Sequence, residues 1–345
     1  MRRYEHGGDI FTHAQVNADF SVNLNPLGMP AQVKQAIAAH IDDYSAYPDP
    51  QCRALIKALA QKELVPESYL LCGNGAADLI IRLCLATRPK LVVVCAPTFS
   101  EYEKSAELSG AKVIYHQLRE EEGFQLNERI LDTLSAEQDI LFLCNPNNPT
   151  GALIDQQLLQ KIAVKCLALQ IVLAVDECFL DFTQGFSVKS LLNEYENIVI
   201  FRAFTKLYSM AGLRLGYVIS ANPKIIAQVT DFGQSWSVSA PAQVAGLAAL
   251  SVPGWQEKTI EMVARERCFL AAGLTELGLT VFPGAANFIL IKSEKLLFAS
   301  LLARGILIRS CANFPGLDQR YFRLGVKTHP QNMLLLKMIK EALDG

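Results

Sequence analysis

The sequence predicts an α/β fold, with a large, mostly parallel, doubly wound domain and a small α+β domain. The chain has 345 residues, which is enough for about two domains. Short β-branched runs alternate with longer segments of helical period, which is typical of βαβ units. After about Asn222, long helical stretches come first and strands follow, which indicates a separate α+β part.

The strands predicted for the large domain are short. Several are apolar at consecutive positions, as in strands that a parallel sheet buries on both faces. They cover residues 69–72, 91–95, 112–115, 140–144, 171–175, 198–202 and 215–219. Segments with a spacing near 3.6 lie between them, for example over residues 76–86, 102–108 and 158–169. This order predicts parallel strands that are connected by helices.

The two ends of the chain are predicted to build the small domain together. Residues 31–41 form a helix that Pro30 starts, and this arm is expected to pack on the C-terminal part. There, a helix over 255–277 precedes strands over 287–292, 306–309 and 321–326, and a final helix begins at Pro330. We therefore expect an N-terminal arm and part of the small domain over 1–44, the large domain over 45–230, and the small C-terminal domain over 231–345.

The composition excludes several classes of protein. Of all residues, 51% are hydrophobic and 19% are charged, which excludes an intrinsically disordered chain. Lys and Arg total 32 against 34 Asp and Glu, so no basic excess favours a nucleic acid partner. The apolar runs are too short to span a membrane, and the polar residues at positions 1–9 lead us to expect no targeting signal. Nine cysteines without a CxxC pair predict no metal site and indicate small core residues in a reducing, cytoplasmic compartment.

Two candidate loops follow predicted strands, where the ligands of open parallel sheets bind. Gly73-Asn74-Gly75-Ala76 leads into a helix whose first N–H groups can meet a phosphate, although a plain β-to-α turn explains the same residues. Asn145-Pro146-Asn147-Asn148-Pro149-Thr150-Gly151 follows another strand. Its prolines and glycine suit a rigid loop, and its asparagines suit a polar ligand.

Two further strand ends carry charged residues. Asp176 and Glu177 follow an apolar strand, where a carboxylate can cap the next segment, meet an arginine or balance a bound cation. Lys206 follows a largely apolar segment, which suits a depressed pKa and a Schiff base. A lone lysine is nevertheless more often a solvated charge. A pyridoxal 5′-phosphate site requires a set of this kind: a lysine amine (Lys206), a buried carboxylate (Asp176), an arginine (Arg214), the asparagine loop, and the phosphate-binding turn at residues 73–76.

The chain resembles the fold-type I pyridoxal-phosphate enzymes related to the class I and II aminotransferases. The resemblance rests on the 145–151 loop, on Asp176-Glu177, and on Thr205-Lys206 followed by Gly212-Leu213-Arg214-Leu215-Gly216. These segments match the cofactor motifs of the family in order and spacing, and the resemblance covers nearly the whole chain. It implies the fold of that family, an enzymatic activity and pyridoxal 5′-phosphate as the cofactor.

The resemblance also implies roles for residues around the cofactor. Lys206 looks like the lysine that forms the Schiff base, and Asp176 would pair with the pyridine nitrogen. Asn148 would contact the ring hydroxyl, and Phe99 stands where an aromatic side chain stacks on the ring. Four residues would bind the cofactor phosphate: Gly75, Ala76, Thr205 and Arg214.

Further roles implied by the resemblance concern the substrate and a second subunit. Arg323 would grip the substrate carboxylate, and His6, Asn23 and Arg309 are candidates for a substrate phosphate. Tyr47 would reach the cofactor phosphate of the neighbouring subunit, which implies a homodimer.

Two branches of the family match this chain. They are the histidinol-phosphate aminotransferases and the L-threonine-O-3-phosphate decarboxylases of cobalamin biosynthesis. Residues 6–9, 21–30, 236–238 and 306–323 look more like the decarboxylase branch. Phe179 stands where many aminotransferases have a tyrosine, and it also occurs in the decarboxylase branch, so it favours that branch slightly. Ala203 stands where a serine or threonine often meets the phosphate, which removes one hydrogen bond, worth about 1 kcal/mol.

The resemblance leaves two reactions open. In such enzymes the bond at Cα that lies perpendicular to the cofactor ring breaks, so the groups that hold the carboxylate and the phosphate select decarboxylation or transamination. We therefore expect a decarboxylase acting on a small phosphorylated amino acid, with a phosphate-recognising aminotransferase as the alternative. A catalytically idle binding protein of the same fold is a third hypothesis, and the intact Lys206 and Asp176 argue against it.

Overall fold

The computed structural model describes residues 6–13 and 16–344 of the chain. The strands of this part are β1 (Ala18–Asp19), β2 (Leu70–Gly73), β3 (Leu91–Ala96), β4 (Lys112–Gln117), β5 (Ile140–Cys144), β6 (Val172–Asp176), β7 (Ile198–Ala203), β8 (Gly216–Ile219), β9 (Thr280–Val281), β10 (Phe288–Lys292), β11 (Ile306–Leu307), β12 (Arg309–Ser310) and β13 (Tyr321–Gly325). The helices are α1 (Ala31–Ala39), α2 (Arg53–Glu63), α3 (Ala76–Thr87), α4 (Glu101–Leu108), α5 (Arg129–Thr133), α6 (Gln156–Ala168), α7 (Phe204–Leu207), α8 (Pro223–Asp231), α9 (Ala240–Leu250), α10 (Trp255–Glu276), α11 (Leu297–Ala303) and α12 (His329–Asp344).

The larger sheet has seven strands in the order β2-β8-β7-β6-β5-β3-β4. Strands β3 to β7 pair in parallel, whereas β8 runs antiparallel to both of its neighbours, β2 and β7. Helices connect successive parallel strands, such as α3 between β2 and β3. The predicted α/β fold with a mostly parallel sheet is confirmed, and the carboxyl ends of its parallel strands share one edge.

Both faces of this sheet are buried, because successive strand residues enter different cores. In β5, Leu141 and Leu143 belong to one core, which α2, α6 and α9 complete. Ile140 and Phe142 belong to the other core, which α3, α4 and α8 complete. Burial on both faces explains why the strands are continuously apolar in the sequence.

A second sheet has four antiparallel strands in the order β12-β13-β10-β9. It forms a separate core with the long helix α10, with α11 and with the C-terminal α12. Leu270, Leu301 and Leu335 contribute one fully buried side chain from each helix. Antiparallel strands and helices packed in this way form the predicted α+β part.

The N-terminal segment contacts both parts of the molecule. Strand β1 pairs in parallel with β11, with Ala18 opposite Ile306, and Phe20 enters the core of the small sheet. Helix α1 packs against α9 instead, and Val33 enters a core of the large sheet. The division of the chain at 44/45 and at 230/231 stays a prediction.

One predicted strand differs from the structure in a way that matters for the site. Residues 306–309 were expected to form one strand, but Ile308 separates β11 from β12. Strand β11 pairs with β1, whereas β12 pairs with β13 of the four-stranded sheet. The chain changes partners at Ile308 and so brings Arg309 opposite Arg323. No helix among the described residues is long and apolar enough to cross a membrane.

Candidate active site

One cavity brings together eleven of the thirteen predicted site residues. Its volume is about 370 Å³. The predicted residues in its wall are His6, Asn23, Ala76, Phe99, Asn148, Asp176, Thr205, Lys206, Arg214, Arg309 and Arg323. The cavity lies at the carboxyl ends of the parallel strands, because the segments that follow β2, β3, β5, β6 and β7 supply most of this wall.

The amine of Lys206 is prepared for nucleophilic chemistry. Lys206 lies on α7, directly after β7, and its Nζ lies 5.7 Å from the centroid of the Phe179 ring. Burial and the positive charges of Arg323 and Arg214 lower its pKa from 10.5 to about 8, against the opposing effect of Asp176. A lowered pKa increases the neutral fraction, which is the form that attacks a carbonyl carbon.

Asp176 ends β6 and is held by two donors. The phenol of Tyr102 donates to its Oδ2 at 2.7 Å, and the backbone N–H of Cys178 donates to its Oδ1 at 2.9 Å. The sequence singled out Asp176 but not Tyr102, whose only signal was its place at the start of the predicted helix over 102–108, three residues after Phe99. Both carboxylate oxygens keep further lone pairs with which to face a cation in the cavity.

The adjacent Glu177 points away from the cavity and pairs with an arginine. Its Oε2 lies 2.7 Å from Nη2 of Arg202, and both side chains are buried. Glu177 also accepts hydrogen bonds from Ser187 and from the backbone of Val188. Two of the three alternatives for this acidic pair therefore apply to different residues, since Glu177 meets an arginine and Asp176 faces the cavity.

The asparagine loop is held by hydrogen bonds to the segment that follows β3. Asn147 accepts a hydrogen bond from Thr98 at 2.6 Å and donates to the backbone oxygen of Pro97 at 2.9 Å. Asn148 turns into the cavity, where its Oδ1 accepts a hydrogen bond from Arg323. The loop thus ties the ends of β3 and β5 together and presents the amide of Asn148 to a ligand.

The start of α3 forms a cradle with Arg214. Gly75 precedes the helix with a φ of +85°, and a Cβ there would lie 2.7 Å from Nη2 of Arg214. No side chain caps this helix, so its first N–H groups remain for a ligand, and Thr205 also lies in the cavity wall. A helix N-terminus, a hydroxyl and a guanidinium together suit a phosphate.

Two buried arginines face each other on neighbouring strands. Arg309 on β12 is paired with Arg323 on β13, and they are only 8% and 7% exposed. Arg309 donates to Asn313 at 2.8 Å, and Arg323 donates to the backbone oxygen of Ser21 at 2.7 Å. Burial, with Arg309 as a neighbouring charge, lowers the pKa of Arg323 to about 10. Like charges opposite each other repel, so this pair favours a bound anion.

His6 and Asn23 complete the wall near these arginines. Nε2 of His6 lies 2.9 Å from Oε1 of Glu101, a buried carboxylate that the sequence did not single out. Burial tends to raise the pKa of Glu101, but the hydrogen bonds from His6 and Lys104 hold it below its usual range. Asn23 is buried, and among the described residues its Oδ1 finds no hydrogen-bond partner.

Two predicted residues do not line the cavity. Gly75 directly precedes α3, and its lack of a side chain leaves room for Arg214. Tyr47 is 81% exposed, and its ring packs on Trp236 at a centroid distance of 4.6 Å. An exposed tyrosine is compatible with a contact to a second subunit, and this role of Tyr47 stays a prediction.

The residues present fit pyridoxal 5′-phosphate. A lysine of lowered pKa, a carboxylate and the stacking position of Phe99 suit the imine, the ring nitrogen and the ring. The cradle that a Cβ at Gly75 would fill suits the phosphate. Buried polar atoms without partners among the described residues, Oδ1 of Asn23 and Nε of Arg323, indicate that a polar ligand completes the site.

Comparison with known proteins supports the same interpretation. The chain is 40% identical to the threonine-phosphate decarboxylase of Salmonella typhimurium, over 99% of this chain and 97% of the relative. The histidinol-phosphate aminotransferase structure from Clostridium acetobutylicum superposes with a TM-score of 0.89 at 28% identity, covering 95% of this chain and 99% of the other. The L-threonine-O-3-phosphate decarboxylase structure from Porphyromonas gingivalis gives 0.86 at 25% identity, covering 94% and 99%.

The family assignment rests on most of the chain. The sequence pattern named aminotransferase class I and II matches residues 17–339. The predicted family, fold and cofactor are therefore confirmed, while the roles of individual site residues stay predictions. The chain belongs to the aminotransferase class I and II family and is a pyridoxal 5′-phosphate-dependent enzyme of fold type I.

Proposed function

We propose that the enzyme decarboxylates L-threonine O-3-phosphate to (R)-1-aminopropan-2-ol O-phosphate, a reaction of cobalamin biosynthesis. The observation that carries this proposal is the pair of buried arginines in the wall of the cavity that also contains Lys206. A substrate with a carboxylate and a phosphate offers one anionic group to each guanidinium. The identity of 40% over the full length to a threonine-phosphate decarboxylase supports the same substrate.

Each side chain has a defined task in this proposal. Arg323 binds the substrate carboxylate, while Arg309, His6 and Asn23 bind the phosphate. Bound pyridoxal 5′-phosphate supplies an electron sink for the pair of electrons that remains when CO₂ leaves. Lys206 holds the proton that the substrate Cα then receives, and its lowered pKa makes that proton easier to transfer.

Asn148 connects the binding of substrate to the cofactor position. We propose that its amide contacts the ring hydroxyl, and its Oδ1 accepts a hydrogen bond from Arg323. The guanidinium that holds the carboxylate is therefore fixed relative to the ring by one direct hydrogen bond. Such fixed placement is what selects the bond that breaks, because small displacements of the reacting atoms change rates strongly.

The assembly and the compartment belong to the same proposal. We propose a homodimer in which Tyr47 reaches the cofactor phosphate of the neighbouring subunit, since Tyr47 is exposed and lies outside the cavity of its own chain. We also propose that the enzyme acts in the cytoplasm, because all nine of its cysteines are free thiols and eight of them are buried.

The decisive experiment measures the products of the purified enzyme loaded with pyridoxal 5′-phosphate. With L-threonine O-3-phosphate we expect release of CO₂ without any requirement for a 2-oxo acid. The Lys206→Ala variant should release none, and L-threonine without its phosphate should be a much poorer substrate.

A specific alternative is histidinol-phosphate aminotransferase activity, which the TM-score of 0.89 to the Clostridium acetobutylicum enzyme favours. The same preparation is therefore incubated with histidinol phosphate and 2-oxoglutarate. Formation of glutamate, without CO₂ from threonine phosphate, contradicts the decarboxylase proposal and supports the aminotransferase.

A further inference from the structure

Asp176 receives a hydrogen bond from Tyr102, a residue to which the family resemblance assigns no role. Tyr102 lies on α4, 74 positions earlier in the chain, and its phenol donates to Oδ2 at 2.7 Å. The backbone N–H of Cys178 occupies Oδ1 at 2.9 Å. The phenol is therefore the side chain that determines where this second carboxylate oxygen lies.

Packing fixes the position of the phenol. Tyr102 is 0% exposed, and its ring stacks on Phe142 at 5.2 Å with an interplanar angle of 8°. Its other aromatic contact is with Phe99, which meets it edge-on at 5.7 Å. Burial and the charge of Asp176 raise the pKa of Tyr102 well above 10.0, so the hydroxyl keeps its proton and acts as a donor.

We propose that Tyr102 is a positioning residue that holds the carboxylate of Asp176 in the orientation that suits the pyridine nitrogen of the cofactor. A buried carboxylate oxygen is costly without a donor, so the hydrogen bond from the Tyr102 phenol opposes rotation of the Asp176 carboxylate. A rotated Asp176 could no longer face the ring nitrogen. The inference concerns the cofactor and is independent of which substrate the enzyme uses.

The test is the affinity of the apoenzyme for pyridoxal 5′-phosphate, measured by fluorescence titration without substrate. Tyr102→Phe removes the hydroxyl and keeps the ring between Phe99 and Phe142. We expect its dissociation constant to rise about tenfold, since hydrogen bonds to charged groups contribute on this scale. Thermal unfolding of the apoprotein verifies that the variant is folded.

Tyr217→Phe is the matched control, because Tyr217 is also buried and also donates to a carboxylate, Oε1 of Glu63, at 2.7 Å. This variant should lose comparable stability and keep its affinity for the cofactor. An equal loss of affinity in both variants would assign the effect to general destabilisation and overturn the proposal.

A double-mutant cycle tests whether Tyr102 acts through Asp176. In the Asp176→Ala background, Tyr102→Phe should change the dissociation constant by less than about twofold. Full additivity would refute the proposal, as would unchanged affinity of the single Tyr102→Phe variant. Because no substrate is present, these outcomes are distinct from a failure to release CO₂ from threonine phosphate.

Discussion

At the scale of single residues, the pKa of Lys206 depends on the arginines that line the same cavity. Removal from water and the nearby Arg323 are the strongest causes that lower its pKa to about 8, so about one amine in ten is neutral at pH 7. A cation beside an ammonium group disfavours protonation. Removing that cation therefore raises the pKa and reduces the neutral fraction at a given pH.

We predict that Arg323→Gln raises the pKa of Lys206 and slows its reaction with small aldehydes at pH 7. The measurement is reductive methylation of the apoenzyme at several pH values, with the modification of Lys206 followed by mass spectrometry. The wild-type rate should rise with pH and show an inflection near pH 8. Arg323→Lys keeps the charge and is the control, and an inflection in Arg323→Gln at or below that of the wild type would contradict the prediction.

At the scale of secondary-structure elements, the cradle depends on how closely β8 approaches α3. A Cβ on Gly216 would lie 2.5 Å from the backbone N of Ala76 and 2.7 Å from the carbonyl carbon of Gly75. These are backbone atoms that cannot rotate away. A larger residue at this position must therefore push the start of α3 off the sheet.

We predict that Gly216→Ala lowers the free energy of unfolding by about 1–3 kcal/mol and weakens the binding of pyridoxal 5′-phosphate. Denaturation in urea and cofactor titration measure the two effects. Gly212→Ala is the matched control, because a Cβ on Gly212 meets nothing within 4 Å. If both variants behave like the wild type, the close approach of β8 is not what shapes the cradle.

At the scale of the whole molecule, the proposed dimer predicts complementation between two defective chains. We mix Lys206→Ala and Tyr47→Ala subunits by unfolding and refolding them together. If Tyr47 serves the neighbouring site, each mixed dimer contains one site with both Lys206 and Tyr47 intact. Activity at limiting pyridoxal 5′-phosphate should then exceed the sum of the separate variants, whereas a role of Tyr47 within its own chain leaves the mixture at that sum.

Much of the fold could be predicted because its signals are local. The apolar strand runs, such as that of β5, follow from burial on both faces of the sheet, and the helices between them follow from their period. The pairing change at Ile308 could not be predicted, because a continuous apolar run carries no information about which neighbour each residue meets.

The sequence alone determined the family, the cofactor and half of the residues that line the cavity. It could do so because parallel strands end at one edge of the sheet. Residues at strand ends, such as Asp176 and Lys206, therefore come together in any fold with this order of strands and helices. Tertiary structure alone decided which groups touch. The pair Arg309 and Arg323 depends on strand register, and the bond from Tyr102 to Asp176 depends on the packing of α4 across 74 positions of chain. Such contacts between distant residues are set by packing, which no local pattern encodes.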